Sequence, residues 1–400
     1  MNQPETGTLN SIVSRVMHIS DITSGAAGQD FLVRYRGELL GDPTTAYDHL
    51  AANLRQLNIT PLFRKEEGTH IILLVQGTIE PRPSNPLINL VLFILTLLSM
   101  IFAGAMYSYN GPLPEDVGEL LSTILRSLPS GIPFALSLLS ILLAHEFGHY
   151  IAGRIHNTHV TLPYFIPFPI SPFGTMGAFI QLKEPPKNKR ILLDIGIAGP
   201  LAGLFVAIPV LLYGLSISNI DILELAPGQG LQLEGNSILY LMAKFIIFGQ
   251  LLPAPVDYGG TLPFFYWVRY FFTSQPIPLG GIDVLISPIA WAGWAGLLVT
   301  ALNLIPAGQL DGGHVIYSLI GKKAKYMQPI VLVLLFLLGF AWSGWWIWMI
   351  LILLLGRVYA EPLDQITTIN TSRKIVAIIG LIVFLLVFTP VPLVQTFAGF

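Results

Sequence analysis

The residues best equipped for chemistry in this 400-residue chain are His145-Glu146-Phe147-Gly148-His149. On a helix, residues four apart project from one face, so the two imidazoles can share one metal ion with Glu146 beside it. Zinc suits that donor set: it polarises a carbonyl and acidifies a water, and an adjacent glutamate can take the proton and return it to a leaving amine. The bare spacing is only suggestive. Its setting adds weight, because it lies inside the apolar run from Ile132 to Ala152, and an ionisable group near a bilayer centre costs about 2.5–3.5 kcal/mol to insert. Such a cluster is hard to retain without a metal or water to compensate it.

Two histidines leave a catalytic zinc one protein ligand short. The candidate third is Asp311, in the segment NLIPAGQLDGGH at 303–314. Pro306 and Gly308 should break the preceding helix just before it, and Gly312-Gly313 lets backbones approach closely. A helix N-cap is the competing role for Asp311. One Zn²⁺ per chain, held by His145, His149 and Asp311, is the expectation.

These groups must be positioned by membrane helices. The chain is 53% apolar and only 11% charged, well outside the soluble norm. Runs near 86–106, 133–153, 191–215, 282–305 and 375–396, with a sixth block at 326–359, are long enough for a hydrocarbon core of about 30 Å. The expected fold is an all-α polytopic membrane protein of about six transmembrane helices plus a re-entrant or β-hairpin element, with a small N-terminal soluble α/β domain. Residues 1–85 would form that domain and 86–400 the transmembrane part. A formal charge of −2, without lysine- and arginine-rich tracts, argues against nucleic acid. With no cysteine, disulfides, thiolate metal sites and cysteine nucleophiles are excluded. The start MNQPETGTLN lacks a basic n-region and apolar h-region, so membrane insertion is expected to begin near Pro86 rather than at a cleavable signal.

In the first 85 residues, Phe31–Arg36 alternates like a strand, Asp42–Gln56 has helical spacing with Asp42 as N-cap, and Ile71–Val75 is strand-like. His18, His49 and His70 are scattered and no phosphate-binding glycine loop occurs, so a regulatory or docking module without chemistry is expected. Tyr164–Ile180 is apolar but broken by prolines and glycines. A re-entrant loop or β-hairpin lining a wet cavity fits it, and its Gly174–Phe179 edge could pair with an unwound substrate as an added strand. Pro253–Gly281 reads as an interfacial loop, Ile238–Leu252 as a half-helix or interfacial segment, and Ser343-Gly344 as a turn splitting 326–359 into a hairpin.

Lysine and arginine mark cytoplasmic connections. Arg154, Lys183, Lys187, Lys189 and Arg190 place the 154–190 connection inside, as do Lys322, Lys323 and Lys325 for theirs, and a hairpin at 326–359 would put the Arg357–Lys374 connection there too. Glu115, Asp116 and Glu119 against Arg126 place 107–130 outside. The N-terminus is then cytoplasmic, with the metal shallow on that side. Among smaller features, Asp194 is expected to serve a helix dipole, Lys244 to snorkel, AGPLAG at 198–203 to pack helices, and His314 either to support the metal ligands or to make a polar contact at the helix face.

HEFGH in one apolar segment with NLIP and LDGGH in another resembles the site-2 protease family of intramembrane zinc metalloproteases. The resemblance runs from Ile132 through the Asp311 helix, with GTMGAF at 174–179, AGPLAG and TPVPL at 389–393 in support. It implies an endopeptidase that cuts transmembrane protein substrates within or near the bilayer. It also implies zinc at His145, His149 and Asp311, Glu146 as base, and Asn303 in a supporting role that an amide donor to a developing oxyanion would explain. No inserted PDZ or CBS-like module is visible, and the N-terminal module resembles that of members with a soluble domain ahead of the core, chloroplast-type relatives among them. The implied setting is a multi-pass protein of a bacterial-type inner or plasma membrane, in contact with lipid and with a regulatory partner of the N-terminal module. The alternative is a metal-binding transporter or proton-coupled carrier. That class predicts inverted repeats, and the histidine segment has no second copy.

Overall fold

The computed structural model of the chain describes residues 6–397 apart from 27, 82, 110, 112–115, 225–229 and 356–360. Glu115 and Arg357, used above for orientation, lie outside the described residues.

The N-terminal part holds α1 (Thr6–Val13), β1 (Met17–Ser24), β2 (Val33–Leu39), α2 (Pro43–Arg55), β3 (Ile59–Glu66) and β4 (Thr69–Gln76). The strands form one antiparallel sheet in the order β1-β2-β4-β3. The sequence signals are local: Asp42 accepts from the Thr45 N–H as N-cap, Pro43 opens α2, and α2 buries Ala46, Tyr47, Leu50 and Leu54. These meet Val33, Tyr35, Phe63 and Leu74 of the sheet in one core, joined by Ile366 from the far end of the chain. Two strands escaped the sequence pattern. β1 has a largely polar, exposed run, and β3 carries Pro61, tolerated because β3 is an edge strand.

The remaining elements are α3 (Pro86–Ser108), α4 (Val117–Ser127), α5 (Ile132–Ile155), β5 (Tyr164–Pro167), β6 (Thr175–Phe179), α6 (Lys189–Ser216), β7 (Asn219–Ile222), β8 (Gly230–Glu234), α7 (Ile238–Phe248), α8 (Pro263–Thr273), β9 (Ile282–Leu285), α9 (Pro288–Asn303), α10 (Asp311–Ile320), α11 (Met327–Leu338), α12 (Gly344–Leu355), α13 (Thr371–Val387) and β10 (Leu393–Phe397). Among the described residues, three helical stretches are long and apolar enough to cross a membrane: Pro86–Ser108, Leu121–Ile155 and Lys189–Ser216. The protein is thus a mainly helical membrane protein. Large side chains such as Leu87, Leu90 and Leu98 on α3 and Ile375, Ile382 and Leu385 on α13 are exposed, which suits a surface against lipid.

The centre of the helical part is α5, α6 and α9, packed through Leu138, Ile141, Leu204, Ala207, Leu211, Trp294 and Leu298. Their backbones approach closely enough that a Cβ on Gly148 would lie 2.6 Å from the Ala198 carbonyl oxygen, and one on Gly293 2.6 Å from Leu211 Cα. The small-residue stripe is what permits that spacing.

Several expectations are corrected. The run at 282–305 begins as strand β9 paired with β7, and the helix starts only at Pro288, where Ser287 caps Ala290. The run at 375–396 ends at Val387, after which β10 pairs with β8. Pro253–Gly281 is not all loop, since Pro263 opens α8 within it. Asp194 sits in the second turn of α6, too deep for a dipole role, and instead bonds Arg373 (2.6 Å) and His156 (2.9 Å). Lys244 does not snorkel: it is 0% exposed, with Nζ over the Tyr240 ring and 3.6 Å from Asp283 Oδ1. β9 brings that acid to α7 from a distant part of the chain. Tyr164–Ile180 does form a hairpin, β5 against β6, and α11 and α12 meet across a short break before Gly344.

Candidate metal centre

α5 places His145 and His149 one turn apart, both buried, with ring centroids 4.9 Å apart. Asp311 comes from another part of the chain. α9 ends at Asn303, the chain turns through residues 304–310 with Gly308 at φ +55°, and α10 begins at Asp311 itself. That return is tight: a Cβ on Gly312 would lie 2.0 Å from the Leu304 carbonyl oxygen, so LDGG can fold back on the end of α9 only with glycine there.

The three donor atoms form a nearly equilateral triangle. His145 Nε2 and His149 Nε2 are 3.2 Å apart, and each is 3.3 Å from Asp311 Oδ2. In a tetrahedral zinc site with bonds of about 2.0–2.1 Å, ligand atoms sit about 3.3–3.4 Å from one another. The triangle has that edge length, and His₂-carboxylate is a donor set catalytic zinc uses.

The surrounding groups orient this set. His149 Nδ1 lies 2.7 Å from the Ile195 carbonyl oxygen on α6, which fixes the proton on Nδ1 and frees Nε2 as a ligand. Asn303 Nδ2 is 3.3 Å from His145 Nε2. Glu146 is 3% exposed, its Oε2 has no hydrogen-bond partner, and the backbone N–H of Ile180, just past β6, faces its carboxylate. A buried carboxylate oxygen without a donor is costly unless water or substrate completes it. A cavity of about 210 Å³, lined by His145, Glu146, His149, Phe179, Asn303 and Asp311 among others, supplies that room.

All five residues singled out in the sequence thus converge on one cavity, and His314 lines it as well. The sequence reasoning missed the glycines of α6. A Cβ on Gly199 would fall 2.0 Å from His149 Nε2, one on Gly203 3.1 Å from His145 Cβ, and one on Gly196 2.8 Å from His314 Cβ. AGPLAG and Gly196 are therefore more than general packing: they hollow the face of α6 on which the imidazoles rest. Their three- and four-residue spacing on one helix face was the available signal.

Residues 133–341 match the model of peptidase family M50. The chain belongs to that family. The match opens within α5 and runs past α10, so the whole donor triangle lies inside it. A rice protein (Oryza sativa subsp. japonica) named "Probable zinc metalloprotease EGY1, chloroplastic" is 29% identical over 338 residues, covering 80% of this chain and 53% of its own. Its namesake from Arabidopsis thaliana is 28% identical over 80% of this chain and 56% of its own. "Probable zinc metalloprotease EGY2, chloroplastic" from Oryza sativa subsp. indica is 27% identical over 90% of this chain and 62% of its own. This M50 chain therefore spans between about half and three-fifths of the length of these relatives. No solved structure matches it at a significant level.

Proposed function

We propose that this chain is an intramembrane zinc endopeptidase that hydrolyses peptide bonds of transmembrane protein substrates. The observation that carries the proposal is the 3.2–3.3 Å triangle of His145, His149 and Asp311 beside the unpartnered oxygen of Glu146. These three residues would hold one Zn²⁺ per chain. Zinc, when bound, polarises the scissile carbonyl and makes a water acidic near neutral pH.

The chain's own groups do the rest. Glu146 takes the proton from the attacking water at its carboxylate and delivers it to the leaving amine. Ile195 holds the His149 ring through its carbonyl, and the Asn303 amide donates toward the carbonyl oxygen as its charge develops. The outer edge of β6, ending beside Glu146 at Ile180, offers backbone groups with which an unwound substrate can pair. Hydrolysis needs an extended peptide, and a helical substrate must surrender its own hydrogen bonds to become one.

The proposal includes about six transmembrane segments, a soluble module at 1–85 and the protease part at 86–400. The basic groups around 183–190 and 322–325 support a cytoplasmic N-terminus in a bacterial-type inner or plasma membrane. The relatives' names place those proteins in the chloroplast, a compartment that this orientation does not decide. A regulatory partner of the N-terminal module belongs to the same proposal. Membership of a peptidase family leaves the carrier alternative without support.

The test is co-expression with candidate single-span substrates, wild type against Glu146→Ala, with zinc measured by elemental analysis of the purified proteins. Zinc in both and cleavage only by wild type is the expected result. Equal cleavage by Glu146→Ala, or no zinc in the wild type, would overturn it.

A further inference from the structure

The segment just before α13 sits between the N-terminal sheet and the connection that leads into α6. β3 is an edge strand, so the sheet pairs only one side of its backbone. The other side is taken by residues 363–365: the Phe63 N–H donates to the Leu363 carbonyl (2.9 Å) and the Gln365 N–H to the Phe63 carbonyl (3.1 Å). The same segment turns its opposite edge to the connection between β6 and α6. There the Leu363 N–H donates to the Pro186 carbonyl (3.1 Å) and the Asp364 N–H to the Lys187 carbonyl (2.8 Å). Hydrogen-bonded backbone thus runs without a gap from the N-terminal sheet to Pro186, which lines the metal cavity.

Two charged groups fix this strap, one half-buried and one wholly buried. Arg64 Nη1 donates to the carbonyls of Phe63 (2.9 Å), Leu363 (2.8 Å) and Pro362 (3.3 Å). Asp364, fully buried, accepts from the Ile366 N–H (2.8 Å), the Thr367 N–H (3.1 Å) and the Thr367 hydroxyl. Burial opposes both charges, drawing the Arg64 pKa down and pushing the Asp364 pKa up. Burying an ion to hold main-chain groups is an expensive way to close a loop; it fixes geometry that a polar surface turn would leave loose. Flanking contacts run the same way: Thr44 to Thr367 (3.2 Å), Lys187 to Asp48, and Arg190 Nε to the Thr368 carbonyl (2.8 Å).

The rim held by the strap leads directly into α6. Asn188 caps that helix at the N–H groups of Arg190 (3.0 Å) and Ile191 (3.1 Å), and α6 goes on to Ile195 and Gly199, which seat His149. We infer that residues 361–369 form a strap through which the N-terminal sheet positions the rim of the metal cavity, with Arg64 and Asp364 as its positioning residues. The rim at Pro186 borders the path of an extended peptide, whereas the donor triangle is locked from within by α5 and α10. Loosening the strap therefore disturbs peptide binding before it disturbs chemistry or metal. Only this kinetic consequence rests on the peptidase proposal.

The experiment uses the full chain in detergent micelles. Arg64→Met keeps the aliphatic stem and removes the donors. It should speed hydrogen–deuterium exchange in peptides covering 182–192 and 361–369 by tenfold or more, with zinc content unchanged. For cleavage, KM should rise at least fivefold with kcat within twofold of wild type. The second arm exploits the absence of native cysteine: Thr44→Cys with Thr367→Cys, added to Arg64→Met, allows a single disulfide between the strap and α2, which packs on the sheet. Oxidation by diamide, which takes up the two thiol protons and two electrons, should restore slow exchange and low KM, and dithiothreitol should undo both. Wild-type exchange in Arg64→Met, an exchange defect that the disulfide does not correct, or loss of kcat and zinc with KM unchanged would each overturn the inference. If the wild type cleaves nothing, the peptidase proposal fails, and the exchange arm still decides this one.

Discussion

An alanine at position 199 would place its methyl carbon 2.0 Å from Nε2 of His149 and 2.4 Å from its Cδ2. Non-bonded heavy atoms settle at about 3.5–4.0 Å, so the ring would have to retreat by about 1.5 Å. Zinc–nitrogen bonds hold to about 2.0–2.1 Å and tolerate deviations of about 0.2 Å. The imidazole cannot keep both its metal bond and its 2.7 Å contact with Ile195. Disturbing only the groups behind a ligand commonly weakens metal binding about 10–100-fold; displacing a ligand should exceed that, so Gly199→Ala is expected to bind zinc at least about 100-fold more weakly. The neighbouring glycines grade the effect. A Cβ on Gly203 meets His145 Cβ at 3.1 Å, relieved by a few tenths of an ångström, and one on Gly196 meets His314, which is outside the donor triangle, at 2.8 Å. Competition against a chromophoric chelator should therefore rank the alanine variants with Gly199 far worst, Gly203 next and Gly196 least affected. Wild-type zinc affinity in Gly199→Ala would refute the placement of α6 against the histidine helix.

Lys244→Met leaves Asp283 buried without its cation and should cost about 3–5 kcal/mol of stability, most of it recovered by adding Asp283→Leu; denaturation in mixed micelles reads both, and an unaffected single variant would sink the pairing. Gly177 has φ +98° and open space around an added Cβ, so Gly177→Val should strain only the hairpin edge, lowering cleavage severalfold with zinc retained; unchanged cleavage would remove the substrate-pairing role. Single cysteines at Gly111 and Arg154, in a chain that has none, should be labelled and spared respectively by an impermeant maleimide on intact cells, and the opposite pattern would reverse the orientation.

Much of the site was legible because its signals are local. The i, i+4 geometry of His145 and His149 follows from helical pitch alone, and the break before Asp311 follows from Pro306 and Gly308. The β5–β6 hairpin was legible for the same reason, since proline and glycine cannot sustain a helix there. What the sequence hid is non-local. Lys244 meets Asp283, Asp194 meets Arg373, and β8 pairs with β10 across most of the helical part; no periodicity announces a partner that distant. Hydropathy also misjudged segment identity at Ile282–Leu285, because a short half-buried strand and the first turn of a helix can carry the same apolar residues. The glycines of α6 fell between the two cases: their spacing was visible, but what they make room for depends on which helix packs against them.

Those glycines bear on how a three-residue metal centre can be built between helices. Two ligands on one helix are fixed relative to each other by the backbone, so the difficult step is delivering the third to within tenths of an ångström. A long side chain would reach easily but would lose more rotamer freedom on being ordered. The chain instead uses a short aspartate and brings the backbone to the two imidazoles: Gly312 abuts the Leu304 carbonyl and Gly313 the Gly308 carbonyl, with added Cβ atoms falling at 2.0 and 2.3 Å. On the other side α6 is hollowed by glycine so that the two imidazoles, inclined at 70° to each other, fit against it. The precision of the triangle is therefore a property of three backbones in contact, which is why residues that never touch a substrate are expected to govern the metal as strongly as the ligands do.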